Sequence, residues 1–521
     1  MRLLLILGWL EWRLDVILAQ FLISIFYSTL ILRPEPMLNL SALLFMPVVG
    51  ALLLILIPHY RIRLIRFVAA LVAFVVLGLT INLVANFDLS NAAFQFTEYF
   101  PLNPKLGSAY ALGVDGLSLA LLSLAALLVV VAILASWGID KNVKGYHICV
   151  LLLEFGMLGV FLAQDWALFY IFWEVTLIPL FFLIDRWGGK RCHAASLNFV
   201  LYTMGGSVFM LLSLLAISQY DFEHQGSLMV NMGQAAKSMP ITEQILVLLG
   251  FLIGFGVKMP LFPLHGWLPL AHVEAPSPIS ILLSGILLKM GAYGLIRSLM
   301  ILPDALVLLQ PLLVGIAIVS IVYGGLLAWR QSDLKTMVAY SSLSHMGVVL
   351  LGVASFDTLG LTGAILQMLA HGLLAGALFF LVGILYQRTA TRDLTDHTGV
   401  LADAPRLAVL FSLSLLAAMG FPGTLGFIAE FHVVLAVLMQ WPLVTAFFAA
   451  SILLSAAYAL RTLLVFWQTS ACGKKIADLD SREMLTGCIL IFALIYLGLM
   501  PDNLIELVSR AAIDFCQSVR V

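Results

Sequence analysis

The sequence predicts an all-α, polytopic membrane protein with about fourteen transmembrane helices, and three observations carry that prediction. Hydrophobic residues make up 62% of the chain and charged residues 11%, against roughly 25% charged in a soluble domain. With a mean hydropathy of +1.08, a soluble fold has no way to bury so much apolar surface. Apolar runs recur from residue 38 almost to the C-terminus, each about the 20 residues that cross a hydrocarbon core of about 30 Å. The basic residues between them fall in every second connection, as they do when Lys and Arg concentrate in short cytoplasmic loops.

Taken in order, the spans are 38–58, 65–86, 110–136, 147–163, 166–184, 196–218, 245–264, 279–300, 304–328, 337–354, 360–386, 407–440, 442–468 and 484–508. Arg61, Arg63 and Arg66 follow the first, Lys141 and Lys144 the third, and Arg186, Lys190 and Arg191 the fifth. Arg330 and Lys335 follow the ninth, Arg388, Arg392 and Arg406 the eleventh, and Lys474, Lys475 and Arg482 the thirteenth. The opposite connections hold only Lys105, Lys237 and Arg297. An omitted or added span would scramble this alternation. The first span therefore enters from the outside and the C-terminus lies outside, with Arg510 and Arg520 running against the rule.

Ahead of the spans, residues 1–36 form an extra segment in which the apolar stretch Val16 to Leu32 follows Glu11, Arg13 and Asp15 and is closed by Pro34-Glu35-Pro36. It has no small-residue cleavage site of the signal-peptide kind. It is either an additional N-terminal helix or the consequence of a start that belongs at Met37. Residues 37–510 then make a single transmembrane domain, and 511–521 a C-terminal tail.

Two spans are irregular. Lys258-Met-Pro-Leu-Phe-Pro263 places two prolines in the seventh, and each removes a backbone hydrogen bond and clashes with the preceding turn, so the helix breaks there. The twelfth is too long for one crossing and carries Gly420-Phe-Pro-Gly-Thr-Leu-Gly426 in its middle. Irregular backbone at membrane depth is tolerated where it is buried in protein or lines a wet cavity. Two interrupted segments in corresponding positions of two halves point to a transporter built from inverted repeats.

Cys149, Cys192, Cys472, Cys488 and Cys516 are scattered without a CxxC pair, and neither a GxGxxG nor a Walker motif is present, so no cluster, zinc, flavin or nucleotide is expected in this chain. The net charge of −1 says nothing about partners; no nucleic-acid partner is expected.

Four ionisable residues lie within spans. Glu174 is ninth in the span that starts at Trp166, Lys258 fourteenth in that from Ile245, and Lys289 eleventh in that from Ile279, while Glu430 follows the break in the twelfth. Each costs about 2.5–3.5 kcal/mol at a helix centre on insertion scales, so such residues face protein or water and have partners. One reading is a buried proton relay: an opposite charge nearby favours the ionised form, and moving that charge changes proton affinity, as a pump requires. The other is a static Glu174–Lys258 ion pair that staples two helices. His345 and His371 lie in the tenth and eleventh spans, with Gln367 one turn before His371 on the same face; they are either relay members or hydrogen-bonded core residues. His265 and His272 follow the proline break and, with Glu274, superficially resemble a metal set. Asp115, Asp165, Asp185 and Asp333 sit at helix ends, where capping roles are expected.

Several long strings, in order, resemble one known family. They are Gly113-Val-Asp-Gly-Leu-Ser118, Phe172-Trp-Glu-Val-Thr-Leu-Ile-Pro179, Val257-Lys-Met-Pro-Leu-Phe-Pro-Leu-His-Gly-Trp-Leu-Pro269, Gly285-Ile-Leu-Leu-Lys-Met-Gly-Ala-Tyr-Gly294, Leu334-Lys-Thr-Met-Val-Ala-Tyr-Ser-Ser-Leu-Ser-His-Met-Gly347 and Gly426-Phe-Ile-Ala-Glu-Phe431. They resemble the antiporter-like membrane subunits of respiratory complex I (NADH:quinone oxidoreductase), to which Mrp antiporter subunits are related, and within them the branch called chain M or chain 4. The resemblance runs from about residue 38 to 508. It implies fourteen helices in two inverted five-helix repeats, with helices seven and twelve broken. It also implies roles: Glu174 and Lys258 as a coupled pair, Lys289 as the central lysine, Glu430 as the terminal acid, His345 and His371 on the hydrated axis between those two, and His265 beside Lys258. At position 430 the sibling chains L and N, and the Mrp subunits, typically carry Lys; Glu430 favours chain M. Leu270 departs from the family, which commonly reads Leu-Pro-Asp-Ala-His.

The function implied is proton translocation by a membrane-arm subunit, driven by quinone reduction elsewhere in the complex, with NADH and quinone used by the whole assembly and no cofactor or metal in this chain. Partners are sibling antiporter-like chains and the lipid bilayer, in a bacterial inner membrane. Alternatives are the same kind of subunit in a membrane-bound hydrogenase or a ferredoxin- or CO2-hydration-linked complex, a Mrp-type cation/proton antiporter subunit, and a structural scaffold with dispensable buried charges.

Overall fold

A computed structural model describes residues 39–91, 93–103, 107–220, 226–468 and 476–520. The segment 1–36, Lys105, Cys472, Lys474 and Lys475 lie outside the described residues.

The chain enters the bilayer with α1 (Leu40–Leu56) and α2 (Ile62–Ala85), then forms an antiparallel hairpin, β1 (Gln95–Asn103) and β2 (Ser108–Val114). The hairpin lies opposite the basic connections and is fastened to α1, where the Ser41 hydroxyl donates to Glu98 and contacts the Tyr110 hydroxyl at 2.7 Å. Four helices follow: α3 (Gly116–Ala135), α4 (Val143–Leu162), α5 (Trp166–Trp187, interrupted at Thr176) and α6 (Cys192–Ser218). A short helix α7 (Met229–Lys237) leads to α8 (Ile241–Lys258), which ends at the proline break and resumes as α9 (Leu268–Glu274). Next come α10 (Ser277–Leu299), α11 (Pro303–Arg330), α12 (Leu334–Ala354) and α13 (Thr358–Thr389). The twelfth predicted span is two helices, α14 (Pro405–Ala418) and α15 (Leu425–Gln440), before α16 (Pro442–Phe466), α17 (Ser481–Leu499) and α18 (Asp502–Arg520).

Twelve of these helices are long and apolar enough to cross a membrane, and the 17-residue α1 and the broken pair α14/α15 bring the segments to the fourteen expected. The two breaks fall in the seventh and twelfth segments. An offset of five is odd, so the second break runs through the membrane in the opposite sense to the first, which is the geometry of an inverted five-helix repeat. The central stretches of α10 and α13 lie inside the chain, whereas much of α2, α6, α11 and α16 faces outward to lipid. The stretches that carry Lys289 and His371 are thus enclosed by protein.

The aspartates at helix ends cap as expected. Asp115 closes a capping box with Ser118, and the Asp165 and Asp333 carboxylates accept backbone N–H groups of α5 and α12, satisfying donors that a helix start leaves open. Asp185 instead pairs with His193 at 2.9 Å. Arg297 corrects the sequence reading. Far from lying in a connection, it is buried in α10 and forms an ion pair with Asp115 at 2.7 Å, its guanidinium 4.9 Å from the Tyr293 ring. At the C-terminal end α18 runs through residue 520 as an amphipathic helix that buries Val508, Ala512, Phe515 and Cys516.

Candidate functional site

Pro179 has no N–H to give and its ring crowds the carbonyl four residues back, so α5 is interrupted at Thr176, one turn before it. The Thr176 hydroxyl donates to the Trp173 carbonyl at 2.7 Å and accepts from Lys258 Nζ at 3.0 Å. Lys258 is the last residue of α8, fully buried, with Nζ 4.1 Å from the Trp173 ring centroid. The break that follows is satisfied locally, since the Trp267 indole N–H donates to the Val257 carbonyl at 2.7 Å. Lys258 is therefore held by a hydroxyl and an aromatic face. No direct Glu174–Lys258 ion pair forms among the described residues, which corrects the stapled-pair reading. Glu174 Oε1 has no hydrogen-bond partner among the described residues.

In α10 the residues Leu283–Leu287 form a π-turn, an irregularity common at functional sites because it displaces carbonyls from the helical ladder. Lys289 Nζ donates to one of those carbonyls, Ser284, at 2.6 Å and meets His371 Nδ1 on α13 at 2.6 Å. That second contact serves either an ammonium donating to a neutral imidazole or an imidazolium N–H donating to a neutral amine; passing from the first to the second is a proton transfer from Lys289 to His371. The His371 and His345 rings lie 5.3 Å apart, and His345 Nδ1 is 3.0 Å from Gln367 Nε2 and 3.8 Å from Glu430 Oε1. Lys289, His371, His345 and Glu430 thus form a file of neighbours across α10, α13, α12 and α15.

Glu430 explains its helix break. Gly420 has φ +69°, and a Cβ there would lie 2.6 Å from Glu430 Oε2, so the break lets backbone approach the carboxylate. Gly420→Ala is expected to cost about 1–2 kcal/mol in left-handed strain and to displace the carboxylate, lowering proton pumping several-fold. Gly423→Ala has similar strain (φ +93°) but its nearest neighbour is Leu499 Cδ2 at 3.6 Å. Pumping in membrane vesicles should separate the two; equal rates would detach Glu430 from the break.

Other expectations scatter. His265 stacks against Phe262 and Tyr323, with ring centroids 5.9 and 5.5 Å away, and makes no hydrogen bond to Lys258 among the described residues. His272 stacks flat on Phe379 at 4.7 Å, and Glu274 pairs with Arg191. His265, His272 and Glu274 therefore have three different neighbours and do not converge as a metal set. Two buried groups escaped the sequence reading. Glu154 is fully buried in α4, with both carboxylate oxygens lacking a hydrogen-bond partner among the described residues; its mid-span position in 147–163 was a legible signal. Lys335 was placed in a basic connection, but it lies in the first turn of α12, facing inward, with Nζ on the Ala275 carbonyl at 2.5 Å.

Fourteen membrane segments, two of them broken in corresponding positions, around a buried file of Lys, His and Glu define an antiporter-like membrane subunit. The chain belongs to the NADH:quinone oxidoreductase/Mrp antiporter transmembrane family, whose model matches residues 163–457. It is 40% identical over 489 residues to an NAD(P)H-quinone oxidoreductase chain 4 of Picosynechococcus sp., covering 91% of each chain. To one of Thermosynechococcus vestitus it is 38% identical, covering 89% of each. Among solved structures it is similar to a chain of respiratory complex I from Thermus thermophilus, with TM-score 0.84 and 31% identity over 92% of this chain and 99% of that one. A chain of the Mrp complex from Dietzia sp. shares the fold, with TM-score 0.80 and 21% identity over 91% of this chain and 52% of that one.

Proposed function

We propose that this chain is a proton-translocating membrane-arm subunit of an NAD(P)H:quinone oxidoreductase of the complex I type, chain 4 branch, with the redox chemistry carried by other subunits. NADH and quinone are used by the whole assembly. The observation that carries the reading is the Lys289–His371–His345–Glu430 file, whose 2.6 Å Lys289–His371 contact joins two basic nitrogens inside a protein-enclosed part of the membrane domain.

Energy arrives as a change in electrostatics at Glu174 and Lys258. With Glu174 near, its charge favours the protonated lysine; moving Glu174 away removes that stabilisation. Lys258 keeps its hydroxyl partner Thr176 but gives up a proton to the path toward Lys289. Lys289 passes one to His371, His345 relays it, and Glu430 receives it at the far break. Each transfer breaks one N–H and forms one N–H or O–H, so one proton is conserved along the path.

Glu174→Ala and Lys258→Ala, assayed in membrane vesicles, are expected to abolish most donor-driven acidification and to slow quinone reduction. Full pumping with a normal quinone reductase rate in either variant would sink this mechanism.

A further inference from the structure

The last turn of α9, with the Ala275 that follows it, receives hydrogen bonds on four successive carbonyls, each from a different part of the chain. Ser280 Oγ of α10 donates to His272 O at 3.2 Å, Arg392 Nη1 from the connection after α13 to Val273 O at 2.7 Å, the Gly189 N–H from the connection after α5 to Glu274 O at 2.8 Å, and Lys335 Nζ of α12 to Ala275 O at 2.5 Å. Arg392 also pairs with Asp333, the N-cap of α12, at 3.2 Å. These donors come from α10 and α12 and from the connections that follow α5 and α13, the helices that carry Lys289, His345, Glu174 and His371. The turn itself continues α8/α9 beyond Lys258. It also lines a cavity of about 1290 Å³ on the basic face of the molecule.

His272 stacks on Phe379 of α13, and Glu274 reaches the connection after α5 with its carboxylate. Glu274 Oε2 accepts the Arg191 backbone N–H at 2.9 Å, and its Oε1 lies 3.5 Å from Arg191 Nε. The guanidinium is largely exposed, and an exposed ion pair contributes little; the amide bond, made by a buried carboxylate oxygen, contributes most. Gly189 is shaped for it, since a Cβ there would lie 2.6 Å from Glu274 Oε2.

We propose that this turn is the junction at which the relay helices are held in register, and that Glu274 is a positioning residue that locks the end of α5, and with it Glu174, to the segment that carries Lys258. The proposal rests on the proton-relay reading above.

The test is made on the assembled complex in native membranes, with abundance checked on native gels and Lys258→Ala measured in the same series. Glu274→Ala is expected to lower pumping and quinone reduction about tenfold, the order of one hydrogen bond to a charged group. Glu274→Gln, whose neutral oxygen still accepts the Arg191 amide, should recover most of the rate. Gly189→Ala should fall with Glu274→Ala, because it displaces the flexible end of the carboxylate while leaving the charge in place. If Glu274→Ala fails to assemble, the other two variants decide. Wild-type rates in Gly189→Ala and Glu274→Ala, or an equal loss in Glu274→Gln and Glu274→Ala, would overturn the positioning role while a dead Lys258→Ala leaves the relay standing. A normal rate in Lys258→Ala would overturn the relay and the junction together.

Discussion

Lys289→Met and Lys289→Arg are both expected to assemble into the complex and to lose about 100-fold in donor-driven proton pumping, the order contributed by a positioned proton-transfer group. The two variants fail for opposite reasons. Lys289 is fully buried, and Nζ spends its contacts on the Ser284 carbonyl and His371 Nδ1. Methionine fills similar volume without a charge, and replacing a buried charge by an apolar side chain is commonly neutral or stabilising, so the protein should be at least as abundant as wild type. What it loses is the titratable amine that contacts His371 Nδ1 and can hand it a proton. Arginine restores charge and donors, yet its guanidinium does not release a proton in a protein; a relay stops there although electrostatics are retained. Vesicle acidification and quinone reductase rate, measured on matched amounts of complex, check this. A pumping Lys289→Arg variant would show that position 289 supplies charge and does not carry protons.

The contrast between Lys289 and Lys258 also shows what the sequence could and could not reveal. Both lysines announce themselves, because a cation inside an apolar run has a high insertion cost and few explanations. The same holds for the broken helices, since proline and glycine act on the backbone locally and need no tertiary information. Partners are a different matter. Glu174 and Lys258 are the natural opposite charges, but the lysine's nearest partners are Thr176 and the Trp173 ring, and which of several polar groups a long side chain meets depends on helix rotation that periodicity does not specify in an all-apolar segment. Lys335 and Arg297 were hidden for a related reason. Both lie near helix ends, where counting assigns them to connections, while the packing turns them inward against Ala275 and Asp115.

The second large effect is structural. Gly291 lies two residues beyond Lys289, and a Cβ there would stand 2.7 Å from the Met259 backbone nitrogen and 2.8 Å from the Phe255 carbonyl oxygen. Both atoms belong to the end of α8, next to Lys258, and neither can rotate away as a side chain would. Small residues let membrane helices approach closely where there is no water to drive them together, and here that approach brings the two lysine-bearing helices into contact. At Gly294, three residues on, an added Cβ would run into the Phe255 ring of α8. Gly291→Val is therefore expected to force α8 and α10 apart, costing about 3 kcal/mol or more through overpacking of unyielding backbone. The subunit should be largely lost from the detergent-extracted complex, and what remains should unfold at a lower temperature. Gly315→Val on α11 is the control, because nothing lies within 4 Å of a Cβ there, and its abundance should match wild type. Normal assembly of Gly291→Val, with thermal unfolding unchanged, would mean that α8 and α10 are not held at this distance and that Lys258 and Lys289 are not brought together by the glycine contact.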